Sequence, residues 1–166
     1  MNIETIKIGK QEWATENLNI TDKGFGKDHW KNPKNGEIYY SVDAAVRIVS
    51  EQAKGFHIPS FREWDELSKT CGCSKIPTEV FEYRTIQELK EYDKIDKLKE
   101  LLKIKFNGFY EPNDKSFIYV GDCSYFWMTS VRNKKYCYVK AIDKDTLSGK
   151  YGERTSGLSI RLVKDV

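Results

Sequence analysis

The segment from Phe106 to Val166 constrains the fold more than any other part of the chain. It reads "FNGFYEPNDKSFIYVGDCSYFWMTSVRNKKYCYVKAIDKDTLSGKYGERTSGLSIRLVKDV", aromatic and β-branched runs broken at short intervals by turn residues. "EPNDK" turns between "FNGFY" and "SFIYV", "VRNKK" joins "YFWMTS" to "YCYVKAI", and "SGLSIRLVKDV" reads as a closing strand. Such punctuated runs form antiparallel strands. Within "YCYVKA", Cys137, Val139 and Ala141 alternate with Tyr136, Tyr138 and Lys140, so one face is expected to be core and the other aromatic and exposed.

The first half reads differently. Ile3, Ile6 and Ile8 alternate with polar residues, predicting a strand, a turn at Gly9-Lys10 and a second strand. "TDKGFGKDHWKNPKNGEIYY" is a long loop closed by an Asn35-Gly36 turn. Ser41 caps a helix in which Val42, Ala45, Val46 and Val49 recur at helical spacing, Arg47 and Glu51 suit a solvent face, and Gly55 ends it. In "GFHIPSFREW", Ser60 and Glu63 have the spacing of a capping box, with Phe61, Trp64 and Leu67 on one helical face. That accounts for Ser60, Glu63 and Trp64 without catalysis and leaves His57, beside Phe56 and Ile58, as a hydrogen-bonded packing residue. Residues 79–106 are charged with a narrow stripe of Ile95, Leu98, Leu101 and Leu102; Thr85 with Glu88 makes a second capping box, and Asp93 with Asp96 allows a restart. One broken helix or two short ones are expected there. Helices early and an antiparallel sheet late amount to an α+β chain.

With 166 residues, one domain over 1–166 is the default. A net charge of +3, with only six arginines among 28 cations, does not suggest a nucleic-acid partner. No stretch is apolar enough for a transmembrane segment. "NIETIKIGKQEW" lacks a signal-peptide core, so either export does not use that route or a leader has been removed. Four cysteines, Cys71, Cys73, Cys123 and Cys137, leave three readings: buried thiols, a Cys123–Cys137 disulfide, or a metal site, for which the C-x-C spacing and the lack of a nearby histidine are a poor match. No metal and no cofactor is expected.

"IKIGKQEWATENLNI", "GEIYYSVDAAVRI", "KGFHIPSFREWDEL", "FNGFYEPNDKSFIYVGDCSYFWMTS" and "GLSIRLVKD" resemble, in this order, the "GxxWmaeNL", "GxlYnwyA", "GWhvPsdaEWxxL", "GGYR…GxF…yWWSST" and "sVRcvkd" blocks of the Fibrobacter succinogenes major paralogous domain. The resemblance covers nearly the whole chain and leaves 79–106 as a family-variable helical insertion. That family is similar to the C-type lectin-like fold, in the branch shared with formylglycine-generating enzymes and the variable receptor-binding proteins of diversity-generating retroelements. The resemblance implies two main helices, a small twisted antiparallel sheet, and termini brought together by pairing of the first and last strands. Formylglycine-generating enzymes need a closely spaced C-terminal cysteine pair, whereas Cys123 and Cys137 are fourteen apart. Glu111-Pro112-Asn113 spells the "EPN" of calcium-dependent lectins but sits in a turn with no "WND" partner.

The function this implies is a non-catalytic binding module for a glycan or protein ligand, displayed outside the cell or at its surface. Its expected contact set is Tyr125, Arg132, Asn133, Lys134, Lys135, Tyr136 and Tyr138, since Tyr and Arg give contact area at little entropic cost. The alternative is a bacteriophage virion, decoration or receptor-binding protein. A formylglycine-generating enzyme ranks third. Either of the first two readings is compatible with a homo-oligomer.

Overall fold

The structure, a computed structural model, describes residues 2–20, 28–77 and 88–166. The elements in chain order are β1 (Thr5–Ile8), β2 (Gln11–Ala14), β3 (His29–Lys31), β4 (Ile38–Tyr40), α1 (Val42–Gln52), α2 (Phe61–Thr70), β5 (Ser74–Lys75), β6 (Glu88–Asp93), α3 (Asp96–Leu101), β7 (Phe109–Glu111), β8 (Ser116–Ile118), β9 (Ser124–Val131), β10 (Tyr136–Ile142), β11 (Leu147–Glu153) and β12 (Val163–Asp165). Among the described residues, 38% strand against 18% helix in three short helices makes this a mostly β structure of several sheets. The expected α+β, C-type lectin-like architecture of two main helices and one small sheet is therefore corrected.

Two segments account for the difference. Residues 88–93 were expected to be helical from their charge pattern, yet they form β6, an interior strand between β5 and β11. Hydrogen-bonding neighbours on both sides outweigh a local helical preference. Residues 88–106 accordingly do not stand off as a helical insertion: Tyr92, Ile95, Leu98 and Leu102 are all core. The capping box at Thr85 lies outside the described residues. In addition, the loop expected around 21–40 contains the β3–β4 hairpin, joined through Asn35-Gly36.

The described strands form a five-stranded sheet of order β5-β6-β11-β10-β9, a three-stranded sheet of order β1-β2-β12, and the hairpins β3-β4 and β7-β8, all antiparallel. The final strand pairs with β2 (Trp13 opposite Val163) rather than with β1. Gly9, at φ +62, makes the β1–β2 turn in a backbone region that glycine enters freely.

Parity along β9 and β10 places the core. Tyr125 and Trp127 on β9, with Cys137, Val139 and Ala141 on β10, belong to one apolar cluster, which α1 completes through Ala44, Ala45, Ile48 and Val49. Phe126, Met128 and Ile142 point the other way, into a second cluster with Trp13, Trp64, Leu67 and Leu98. The sheet is thus buried on both faces. Val46 on α1 is exposed, against expectation, and Ile48 takes its place in the stripe.

Caps act as the sequence indicates. Ser41 accepts a hydrogen bond from the Ala44 N–H at 3.2 Å. The Ser60 hydroxyl accepts from the Glu63 N–H at 3.3 Å, and Glu63 accepts from the Ser60 N–H at 2.6 Å. Trp64 is fully buried and packs on Trp13 and Phe126, with ring centroids 5.1 and 5.6 Å away.

Candidate functional site

The double burial of the sheet divides the contact set expected from the sequence. Lys140, expected on an exposed face, is fully buried and pairs with Glu91 beneath the Phe61 ring. Tyr125 is only 8% exposed and lies on the α1 side, because it sits opposite Ala141. Tyr136 and Tyr138 are half-buried on the other face.

The remaining members are exposed but engaged with one another. Asn133 accepts hydrogen bonds from the N–H groups of Lys135 and Tyr136 at 2.8 and 2.9 Å, so its side chain shapes the β9–β10 turn. The Arg132 guanidinium lies 3.7 Å from the centre of the Tyr151 ring, which packs on Tyr138 at 5.0 Å. Lys135 pairs with Glu153 at 3.2 Å and lies over Tyr136. Lys134 is exposed in the turn. The set does not converge on one cavity.

A cavity does form on Tyr125's face of the sheet, where the β7–β8 hairpin leans against β10 and β11. It has a volume of about 290 Å³. Phe109, Tyr119 and Tyr125 line it, with Glu111, Lys150 and Glu153 around them. Phe109 and Tyr125 meet edge to face at 5.2 Å, and Tyr119 stands 6.1 and 6.2 Å from each of them. Edge-to-face and tilted pairs at such spacings are mutually attractive. Lys150 sits opposite Val139 in the ladder, which carries its ammonium over Tyr125 at 5.2 Å.

Tyr119 is held in an uncommon conformation. Its φ is +57, a region bulky residues avoid, and its side chain is 55% exposed. Its carbonyl accepts from the N–H groups of Asp122 and Cys123 at 3.1 and 3.2 Å, and the Gly121 N–H donates to Phe106 at 2.7 Å. Gly108 runs directly beneath: a Cβ there would come within 1.9 Å of the Ile118 carbonyl oxygen. Backbone on both sides therefore fixes the loop and aims the tyrosine. Phe109, Glu111, Tyr119, Lys150 and Glu153 were missed in the sequence. The available signal was Gly108 and Gly121 on either side of an aromatic hairpin.

The other motifs resolve as structure. Glu111 accepts from the backbone N–H and side-chain amide of Asn113 at 3.1 and 3.0 Å, closing its own turn. No group of three or more His, Cys, Asp or Glu that could hold a metal occurs among the described residues. His57 meets Glu63 at 2.6 Å, and Gln11 donates to both Glu63 and Asp165 at 2.8 and 3.0 Å. Gln11 thus ties β2 to both α2 and β12, while Glu63 holds Gln11 and His57 besides closing the cap. All four cysteines are free. Cys137 lies opposite Val131, at the far end of β9 from Cys123 and eight positions along the strand, roughly 26 Å at about 3.3 Å per residue. A disulfide needs Cα atoms within about 7 Å. No helix among the described residues is long and apolar enough to cross a membrane.

The fold and the cavity define a mostly β, antiparallel protein with a small aromatic pocket beside a rigid tyrosine. The chain belongs to the Fibrobacter succinogenes major domain family, whose sequence model matches residues 6–164. No curated protein and no solved structure matches it.

Proposed function

We propose that this is a non-catalytic binding module, displayed at a cell surface or on a virion, that receives part of a glycan or protein ligand in the Phe109–Tyr119–Tyr125 pocket. The observation that carries the reading is Tyr119, an exposed aromatic side chain held rigidly at the mouth of a concave, aromatic-lined site. Uncommon backbone conformations persist where the surrounding structure over-determines them, and they concentrate at sites of recognition. Fixed aromatic walls also lose little entropy on binding.

Three of the thiols are poorly suited to act as nucleophiles. Burial pushes the Cys71 and Cys137 thiols up, and burial together with neighbouring Cys71 pushes Cys73 up to about 11. A nucleophilic cysteine requires the opposite shift. The test is a screen of the labelled protein against immobilised glycans and extracellular proteins, repeated with Tyr119→Ala. Loss of the captured ligand in the variant supports the pocket. A ligand held equally well by both proteins moves the site elsewhere.

A further inference from the structure

We infer that Asn35 is a site of spontaneous covalent modification, deamidation through a cyclic imide with Gly36, and that the fold directs this reaction to Asn35 and away from Asn107. The chain holds two Asn-Gly steps, at 35–36 and 107–108. In both, the second residue has no side chain to shield its backbone nitrogen from the asparagine before it. Their surroundings separate them.

The reaction needs only the chain and water. The Gly36 backbone nitrogen attacks Cγ of Asn35. An N–Cγ bond forms, the Cγ–Nδ2 bond breaks, and ammonia leaves with the Gly36 amide proton. Water then opens the imide ring. Cleavage at the former side-chain carbonyl gives aspartate. Cleavage at the backbone carbonyl gives isoaspartate, with the main chain running through Cγ.

Asn35 lies exposed in the β3–β4 connection, and a Cβ placed on Gly36 would meet nothing within 4 Å. The ring has room to form, and water can reach it. Asn35 Oδ1 already accepts the Glu37 N–H at 3.0 Å, so a donor faces the oxygen on which negative charge develops as Cγ turns tetrahedral. The Gly36 N–H donates to the Asn32 carbonyl at 2.8 Å, and this bond must open first. A bond in an exposed turn opens locally at small cost.

Asn107 is enclosed. It is 5% exposed, its carbonyl accepts the Tyr39 hydroxyl at 2.6 Å, and the Gly108 N–H donates to Cys123 at 2.7 Å. The Ile118 carbonyl closes off Gly108, since a Cβ there would come within 1.9 Å of it. The Asn107 side-chain nitrogen has no hydrogen-bond partner among the described residues, so the fold restrains the nucleophile and not the leaving group. Turning the Asn107–Gly108 peptide would break both backbone contacts and disturb Tyr39, which is fully buried. Reaction there waits for a larger opening.

Either product alters the turn. A carboxylate at 35 lowers the net charge of +3 by one and stands beside Glu37. Aspartate keeps an oxygen for the Glu37 N–H, whereas isoaspartate inserts a methylene between Asn32 and Glu37, whose backbone hydrogen bond at 2.8 Å closes the hairpin.

The experiment is prolonged incubation of the full chain in warm, mildly alkaline buffer, folded and in guanidinium chloride. Tryptic peptides are followed by mass spectrometry for the amide-to-acid mass gain and by isoaspartyl methyltransferase labelling, with Asn35→Gln to confirm the assignment. The expected result is conversion of Asn35 at least about tenfold faster than Asn107 in the folded chain, with the two rates within about threefold of each other once it is unfolded. Labelling of the first peptide should vanish in Asn35→Gln. Equal folded-state rates, or a faster Asn107, overturn the inference. So does an Asn35 that stays intact in the folded chain while the unfolded chain converts it. An Asn107 that remains slow in guanidinium chloride overturns the directing role of the fold, because its protection would then lie in the local sequence.

Discussion

Replacing Lys140 by methionine removes one charge from an ion pair enclosed by protein. Lys140 is fully buried and its partner Glu91 is 8% exposed. Burial holds the Lys140 ammonium below the ordinary lysine range, although Glu91 works to raise it. Lys140→Met leaves the Glu91 carboxylate without its cation, in a niche where its Oε1 would lie 2.5 Å from a Cβ at Gly149. Breaking such a pair from one side costs about 3–5 kcal/mol. At about 2–4 °C per kcal/mol for a chain of this size, the melting temperature should fall by roughly 6–20 °C. The double variant Lys140→Met/Glu91→Leu removes both charges and fills the niche with apolar volume, so it should return to within about 1 kcal/mol of wild type or exceed it. Glu91→Leu alone leaves an ammonium that folding forces toward its neutral form. The unfolded chain then binds more protons than the folded one below the ordinary lysine value, so stability of this variant should rise with pH up to about 10.5. Urea denaturation followed by circular dichroism measures all four proteins. A double variant whose loss equals the sum of the two single losses would refute the reasoning, because the pair would then carry no coupling.

Trp64→Ala should cost about 3–5 kcal/mol in the same assay, since it empties the contact between Trp13 and Phe126. Glu63 supplies an acid limb: burial works to raise its carboxyl, but the Ser60 N–H, His57, the Ser60 hydroxyl and Gln11 outweigh it and hold it below the ordinary glutamate value. Its contribution should therefore be present above that value and disappear as pH falls through the lowered one; Glu63→Gln should be less stable at neutral pH and flatter across that window in thermal melts. Gly108→Ala combines a φ of +67 with a 1.9 Å approach to the Ile118 carbonyl, so it should lose more than about 2 kcal/mol by urea titration and displace Tyr119.

Local signals survived best in this chain. Ser41, Ser60 and Glu63 are read correctly because a cap depends on a few consecutive residues. The β1–β2, β7–β8 and β9–β10 turns are legible for the same reason. What the sequence concealed depends on partners distant along the chain. "ELKEYD" has a helical charge pattern, but β11 and β5 flank it and make it a strand. Lys140 reads as solvent-facing until α2 is known to cover its side of the sheet, and Tyr138 is half-buried for the same reason. Family resemblance identified the chain but pointed to a helix-richer architecture than it adopts. The pocket was the least legible feature. Phe109 and Tyr119 from one hairpin meet Lys150 and Glu153 from β11 only after the sheet is assembled.

The pairing of β2 with β12 bears on how the fold is reached. Gln11 and Asp165, which hydrogen-bond across this junction, stand 154 positions apart. A two-stranded β1–β2 hairpin is barely stable in water by itself. It gains its third strand only when the chain has closed nearly its full length into a loop, and that entropy is lost before any contact compensates for it. Assembly is therefore governed by topology more than by helix formation, in the slow regime typical of long-range β pairing. Until that closure, Trp13 and the outer edge of β2 lie open to solvent and to neighbouring chains, so the interval before the final strand docks is when this protein is most exposed to self-association.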